Sequence, residues 1–265
     1  MTQVQNSSAT TERLKKTDTR SKTRKKLFTH VVESKDADDT LLRDMWRMRL
    51  KFLTLSIPEE EDYAIFKDYC TRPDTFLFTF RGEDNEMGAF FTFSFHPVNK
   101  PGHKALMIHS KYYYVDTPYR GHPKITSAAW PMMPKFIWRY GLRRIYFAAF
   151  TFPTSFVSLS RTFGRVYTIQ GDLAQPWEKE MLEALAANLN GNNWDTNEKL
   201  ICNMGVPQAE EKAASKGVTE LRKEYERYNP NWRDGKSLPI MMRFDLATMK
   251  SVIGTSLRRN KRNKQ

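Results

Sequence analysis

Residues 104–115 read KALMIHSKYYYV and run directly into residues 116–125, DTPYRGHPKI. The first stretch is apolar, aromatic and β-prone, which predicts a strand. Asp116, Pro118 and Gly121 break it, and Pro123 then suits the first position of a helix, where its missing N–H is no loss. Downstream, Ile125, Ala128, Ala129, Met132, Met133, Phe136, Ile137 and Tyr140 keep helical spacing. Pro131 and Pro134 interrupt that helix, so a kink or two short pieces are expected. Residues 143–152 (RRIYFAAFTF) are a short apolar run of the kind found in a strand buried on both faces. A strand, a turn, a helix and a second strand thus follow one another here.

The flanks extend the pattern. Upstream, residues 75–81 (TFLFTFR) and 87–95 (MGAFFTFSF) flank a polar, Gly-containing turn at 82–86 and read as an antiparallel hairpin, with another turn from Pro97 to Gly102. Before them, Leu41, Leu42, Met45, Met48, Phe52 and Leu53 share one helical face, with Asp38 or Asp39 as N-cap, and a second helix fits 59–70 behind Pro58. Downstream, a helix is predicted over 155–163, a short strand near 165–169, an amphipathic helix from Trp177 to Leu189 ending before Gly191, and a charged helix near 217–228. The fold class is α+β, a mixed, mostly antiparallel sheet flanked by helices with a helical C-terminal extension. The division expected is a basic disordered tail over 1–27, a core domain over 28–206, an extension over 207–255 and a second basic tail over 256–265.

The chain has 265 residues and a formal net charge of +13. Residues 1–30 carry a net +6 and residues 256–265 a net +5, so the basicity belongs to the ends. Such ends are either solvated and disordered or dock on an acidic partner: anionic lipid, nucleic acid or an acidic carrier protein. Cys70 and Cys202 show no paired spacing, which argues against a disulfide scaffold or a cysteine zinc site and for a reducing cytoplasm. The start of the sequence has no apolar secretory core, and no run suits a membrane span. His103 and His109 lack a third ligand at metal spacing, and a lone strand histidine such as His109 is more often a hydrogen-bonded core residue than a base. There is no Walker motif, no dinucleotide-binding glycine motif and no Gly-x-Ser-x-Gly elbow. Arg49 falls inside the apolar face of its helix, so its guanidinium needs an anion: either a structural partner such as Asp116 or Glu86, or a substrate carboxylate. Tyr112 and Tyr114 share one side of their strand, while core packing accounts for Tyr113.

The element order and the stretch Arg120-Gly121-His122-Pro123-Lys124-Ile125 resemble the GNAT acyltransferases, over roughly residues 40–170. In that family a strand enters a turn of the form Arg/Gln-x-x-Gly-x-Gly/Ala that opens a helix and cradles a pyrophosphate. Arg120 matches its first position, while Pro123 and Ile125 stand at the two small-residue positions. The later Tyr-x-x-x-Gly-Phe landmark corresponds to Ser160-Arg161-Thr162-Phe163-Gly164-Arg165, with Ser160 in place of the tyrosine and Tyr167 as a substitute acid. These departures, and Arg49-Leu50-Lys51-Phe52 in an N-terminal helix, resemble the acyl-homoserine-lactone and long-chain N-acyl amino acid synthases, which can use acyl carrier protein.

The resemblance implies transfer of an acyl group from an acyl-CoA or acyl-carrier-protein thioester to the amine of a small acceptor, without a metal. Arg120, Gly121, His122 and Lys124 would hold the donor, Asp116 or Glu86 would act as base and Tyr167 as acid. Arg49 and Tyr114 would hold the acceptor, and the basic ends would meet an acidic carrier protein or an anionic membrane surface. Two strands are expected to part at the bend Tyr119–Gly121 to admit the thioester arm. The alternative is a non-catalytic binding protein of the same fold whose ends engage nucleic acid or another polyanion.

Overall fold

Strands β2 (Thr75–Arg81) and β3 (Met87–Lys100) pair antiparallel through the turn at 82–86, placing Phe78 opposite Phe91 and Phe76 opposite Phe93. The computed structural model describes residues 26–202 and 219–245, apart from Ser56 and Leu142, together with Thr248. The expected basic tails thus lie almost wholly outside the described residues, as does much of 207–255. No helix among the described residues is long and apolar enough to cross a membrane.

The hairpin seeds a mixed, mostly antiparallel sheet. Strand β1 (Phe28–Glu33) pairs with β2, and β4 (His103–Ser110) pairs with β3. A crossover through α3 (Pro123–Ser127) and α4 (Met133–Tyr140) then returns the chain to β6 (Arg144–Thr151), which lies parallel to β4. Strand β5 (Tyr113–Val115) pairs with β3 beyond the end of β4. The far side of the sheet is completed by β10 (Leu238–Arg243), seated between β6 and β7 (Tyr167–Thr168). A separate ribbon joins β8 (Trp194–Asp195) to β9 (Leu200–Ile201).

Both faces of the sheet are covered, which is why β2 is buried along almost its whole length. Helices α1 (Asp39–Leu50), α2 (Glu59–Thr71) and α6 (Pro176–Asn190) cover one face, over Leu77, Phe90, Met107, Tyr146 and Met241. Helices α3, α4, α5 (Pro153–Phe163) and α7 (Glu220–Tyr228) cover the other. There Phe78 stacks on Phe91 with ring centroids 4.5 Å apart, and Phe95 meets Phe136 at 4.3 Å. Helix α7 is fastened by Tyr225, whose hydroxyl donates to the Thr151 carbonyl at 2.7 Å.

Several expectations change. The strand read over 104–115 is two strands, divided at Lys111 and Tyr112. Strand β3 continues through Pro97 to Lys100, so the turn is confined to Pro101 and Gly102. The interrupted helix is indeed two pieces, α3 and α4, with Pro134 in the first turn of the second, where proline is tolerated. Strand β1 has no counterpart in the sequence reading. Strand β10, from the stretch read as an extension, is an internal strand of the sheet.

At the bend Tyr119–Gly121 no strands part: Tyr119 packs inward while Arg120 and Gly121 are exposed. Tyr119 is buried against Gly88, where an added Cβ would lie 2.5 Å from its ring. Gly88→Ala is therefore expected to destabilise the protein by about 1–3 kcal/mol through overpacking, read as a lower urea midpoint with an unchanged slope.

Candidate active site

The parting of strands occurs earlier than expected. The parallel ladder between β4 and β6 runs from Ala105 opposite Arg144 to Ser110 opposite Ala149 and stops there. Past that point β6 bonds on its other side, with Phe150 and Thr151 opposite Pro239 and Leu238 of β10. The chain leaving β4 instead stays with β3. Ser94 faces His109 and Phe91 faces Tyr113, so Thr92 and Phe93 of β3 are opposed by Ser110, Lys111 and Tyr112. Three residues against two is a β-bulge, a device that bends a strand and re-aims its side chains. The Thr92 N–H donates to the Tyr112 carbonyl at 3.0 Å, restoring the ladder for β5. Beyond Ser110 and Ala149, β5 and the end of β6 therefore pair with different neighbours.

The bulge turns Lys111 and Tyr112 to the same face, toward α2. The Lys111 ammonium lies 5.0 Å from the ring centroid of Tyr69 and 5.7 Å from that of Tyr112. Among the described residues no carboxylate lies within ion-pair distance of it. Burial, reinforced by the positive charges of Arg72 and Arg49, lowers the Lys111 pKa to about 8. Tyr69 is itself fixed by a buried chain of polar groups. Its hydroxyl meets His109 Nδ1 at 2.8 Å and Ser94 Oγ at 3.0 Å, and Ser94 Oγ meets His96 Nε2 at 2.9 Å. Burial lowers the His109 pKa well below the usual range, with His96, Lys111 and Arg72 adding to it, and brings His96 to about 4. Both imidazoles are neutral at pH 7. His109 is wholly buried, and its Nε2 has no hydrogen-bond partner among the described residues.

The residues singled out from sequence fall into separate places. Arg49 is buried, and its carboxylate partner is Asp62 on α2, not Asp116 or Glu86. Both terminal nitrogens donate to that carboxylate, Nη2 to Oδ1 at 2.9 Å, and Trp46 Nε1 donates to Oδ2 at 2.7 Å. Tyr114 lies close by, its ring against Phe52 and Phe90. Asp116 and Glu86 sit near the same end of β3. The Asp116 N–H donates to the Gly88 carbonyl and its carboxylate accepts from the Thr117 N–H at 2.7 Å, while Glu86 is exposed in the hairpin turn. Tyr113 is 56% exposed, its ring stacked on Phe91, so it is not a core residue.

Arg120 is exposed, Gly121 has φ +75°, and His122 caps the Lys124 N–H through Nδ1. The Lys124 ammonium donates to the Leu27 carbonyl at 2.7 Å. Helix α3 has five residues, too short to lend this loop the potential of a helix N-terminus. Tyr167 is not brought to the bulge. It is buried on β7, three strands from β4 or about 14 Å at strand spacing, with the Arg243 guanidinium 4.5 Å from its ring. The signal for Lys111 was present in 104–115: His109-Ser110-Lys111 is a polar interruption between the apolar run 105–108 and the tyrosines at 112–114.

The Lys111 shift makes a pH prediction. Its folded pKa near 8 is below the unfolded 10.5, so the folded state gives up this proton first. On this account stability rises as the pH climbs from about 8 toward 10.5. Lys111→Met should be more stable than the parent at pH 7, with the gap closing over that interval, in denaturant titrations at each pH.

No protein-family model and no curated protein matches this sequence. Among solved structures, the chain is similar to a ribosomal-protein-alanine N-acetyltransferase from Brucella melitensis biovar Abortus 2308, with 14% identity over 47% of this chain and 81% of that one and a TM-score of 0.34. It is similar to an acetyltransferase from Trypanosoma brucei at 17% identity, over 57% of this chain and 100% of that one, TM-score 0.38. A third is an acyl-CoA N-acyltransferase from Pseudomonas aeruginosa at 13% identity, over 53% and 86% of the two chains, TM-score 0.36.

Proposed function

We propose that the protein is an N-acyltransferase that moves an acyl group from a CoA or acyl-carrier-protein thioester to the amine of a small acceptor. The observation that carries this reading is the divergence of β4 and β6 at the bulge, with Lys111 placed where they separate. Diverging parallel strands leave backbone groups that an extended amide-bearing arm can pair with as an added strand. The thioester carbonyl would then lie beside the bulge, with Arg120 holding a donor phosphate by its side chain.

Lys111 is the base in this scheme. A general base works best with a pKa near the working pH, and a lysine brought to about 8 meets that requirement. The acceptor nitrogen attacks the thioester carbonyl, the C–N bond forms, the C–S bond breaks, and Lys111 takes the amine proton and passes it to the departing thiolate. Tyr69, fixed by His109, orients the Lys111 ammonium. Arg49 and Tyr114 line the acceptor side, with Arg49 preorganised by Asp62. Asp116 remains the alternative base, with Glu86 behind it. Tyr167 has no part as acid in this scheme because of its distance.

Release of free thiol from acyl-CoA donors of several chain lengths, with a panel of amines, tests the reading; no amine-dependent release from any donor would overturn it. Lys111→Arg keeps the charge but cannot deprotonate, so kcat should fall about 10²- to 10⁴-fold and the rise of rate with pH through about 8 should vanish. A larger loss in Asp116→Asn than in Lys111→Arg would move the base to Asp116. Arg120→Ala should raise the donor KM several-fold at nearly unchanged kcat and thermal stability.

A further inference from the structure

A second cluster of charged groups lies at the opposite end of β6. Arg144 and Tyr146 are two residues apart on β6, and Arg243 stands opposite Tyr146 on β10, so all three share the face of the sheet that α6 covers. Together with Gln175, Glu178 and Asp245 they line a cavity of about 310 Å³. Arg144 is five residues from Ala149, where the β4–β6 ladder stops, which is about 17 Å at the usual strand rise. The cavity is therefore separate from the proposed place of acyl transfer.

The cavity is built on a buried ion pair. Glu178, in the first turn of α6, is 1% exposed. Its Oε1 accepts from the Tyr146 hydroxyl at 2.8 Å and from Arg243 Nε at 2.7 Å, and its Oε2 accepts from Arg243 Nη2 and from the Gln175 N–H. Burial opposes ionisation of this carboxyl, but those hydrogen bonds outweigh it and hold the pKa below the usual range. An ion pair taken out of water is a weak stabiliser, and what this one achieves is orientation. The Arg243 guanidinium is gripped along one edge by Glu178 and lies 4.5 Å from the Tyr167 ring, which fixes its plane. Only its Nη1 is left without a hydrogen-bond partner among the described residues.

Two further charges stand at the same cavity. Arg144 is exposed, and among the described residues no carboxylate lies within ion-pair distance of it. Asp245 follows Phe244, whose N–H donates to the Ile145 carbonyl at 2.8 Å and carries the ladder on toward Arg144. The Asp245 carboxylate accepts from the Thr248 N–H at 2.8 Å and does not close on Arg144. We propose that this cavity binds a small zwitterion, a free α-amino acid, whose carboxylate spans Arg144 and Arg243 Nη1 and whose ammonium meets Asp245. Guanidinium groups match a carboxylate in shape as well as in charge. Arg144 and Arg243 are balanced by Glu178 and Asp245, so the lining suits a ligand without net charge better than a phosphate or a dicarboxylate. The volume lies at the lower end of the range of about 300–1,000 Å³ for small-molecule sites, which suits an amino acid rather than a nucleotide. This inference is independent of the acyltransferase reading.

Calorimetric titration of the full chain with each of the twenty free L-amino acids tests it. At least one should bind, and its carboxamide and its N-acetyl derivative should each bind about tenfold more weakly or worse, because each lacks one of the two charges. Arg144→Gln should weaken that amino acid about tenfold while leaving the thermal midpoint of the unliganded protein unchanged, since the exposed Arg144 pairs with no carboxylate. Asp245→Asn should remove the difference between the amino acid and its N-acetyl derivative. No binding of any of the twenty at about 10 mM, by heat or by a raised thermal midpoint, would overturn the proposal. So would equal binding in the parent and Arg144→Gln, or equal binding of the amino acid and its N-acetyl derivative, which would reduce the cavity to a general anion patch.

Discussion

Strand β3 imposes the constraint on which the rest depends. It is a single strand of 14 residues, and along one edge it must satisfy both β4 and β5. The chain opposite it carries one residue too many, and an antiparallel ladder absorbs such an excess only by a bulge. Because β3 keeps its partners on both sides of the bulge, the distortion is passed to the other edge, and β6 loses its neighbour at Ala149. The direction of Lys111 follows from that one surplus residue.

Much of the scaffold was legible because its signals are local. The aromatic runs and polar turn at 75–95 fix a hairpin, and the apolar spacing of α1 and α6 fixes two helices. The prolines at 131 and 134 divide a helix because their ring chemistry allows nothing else. The bulge was not legible: with tyrosine at 112, 113 and 114, either register of the strand satisfies the pattern. Strand β1, FTHVVE, is too polar to announce itself, and β10, LPIMMR, carries a proline that normally argues against an internal strand. For the site, the burial of Arg49 could be read from one helix wheel. Its partner Asp62 could not, since it lies 13 residues away on another helix and the pairing exists only after α1 and α2 pack. Lys111 was visible as a polar interruption, but its depressed pKa arises from burial first and then from Arg72 and Arg49, which are tertiary facts.

The buried polar groups around Tyr69 fix the position of α2. The chain from His96 through Ser94 and Tyr69 to His109 joins α2 to β3 and β4 by hydrogen bonds that tolerate little displacement. The pair Arg49–Asp62 does the same between α1 and α2. Phe66 adds ring packing against Phe90 and Tyr112 to the same contact. Polar pairing removes that freedom at the place where Lys111 must be held.

The place of β10 governs how the molecule is assembled. This strand lies inside the sheet, pairing with β6 about ninety residues earlier and with β7 on its far edge. During synthesis the hydrogen-bonding edge of β6 therefore stays uncovered until residues 238–243 have left the ribosome. Distant pairings of this kind slow folding, since the intervening loop must close before any contact rewards it. Chains truncated before residue 238 would present a bare apolar strand edge, and self-association of such fragments is the natural result.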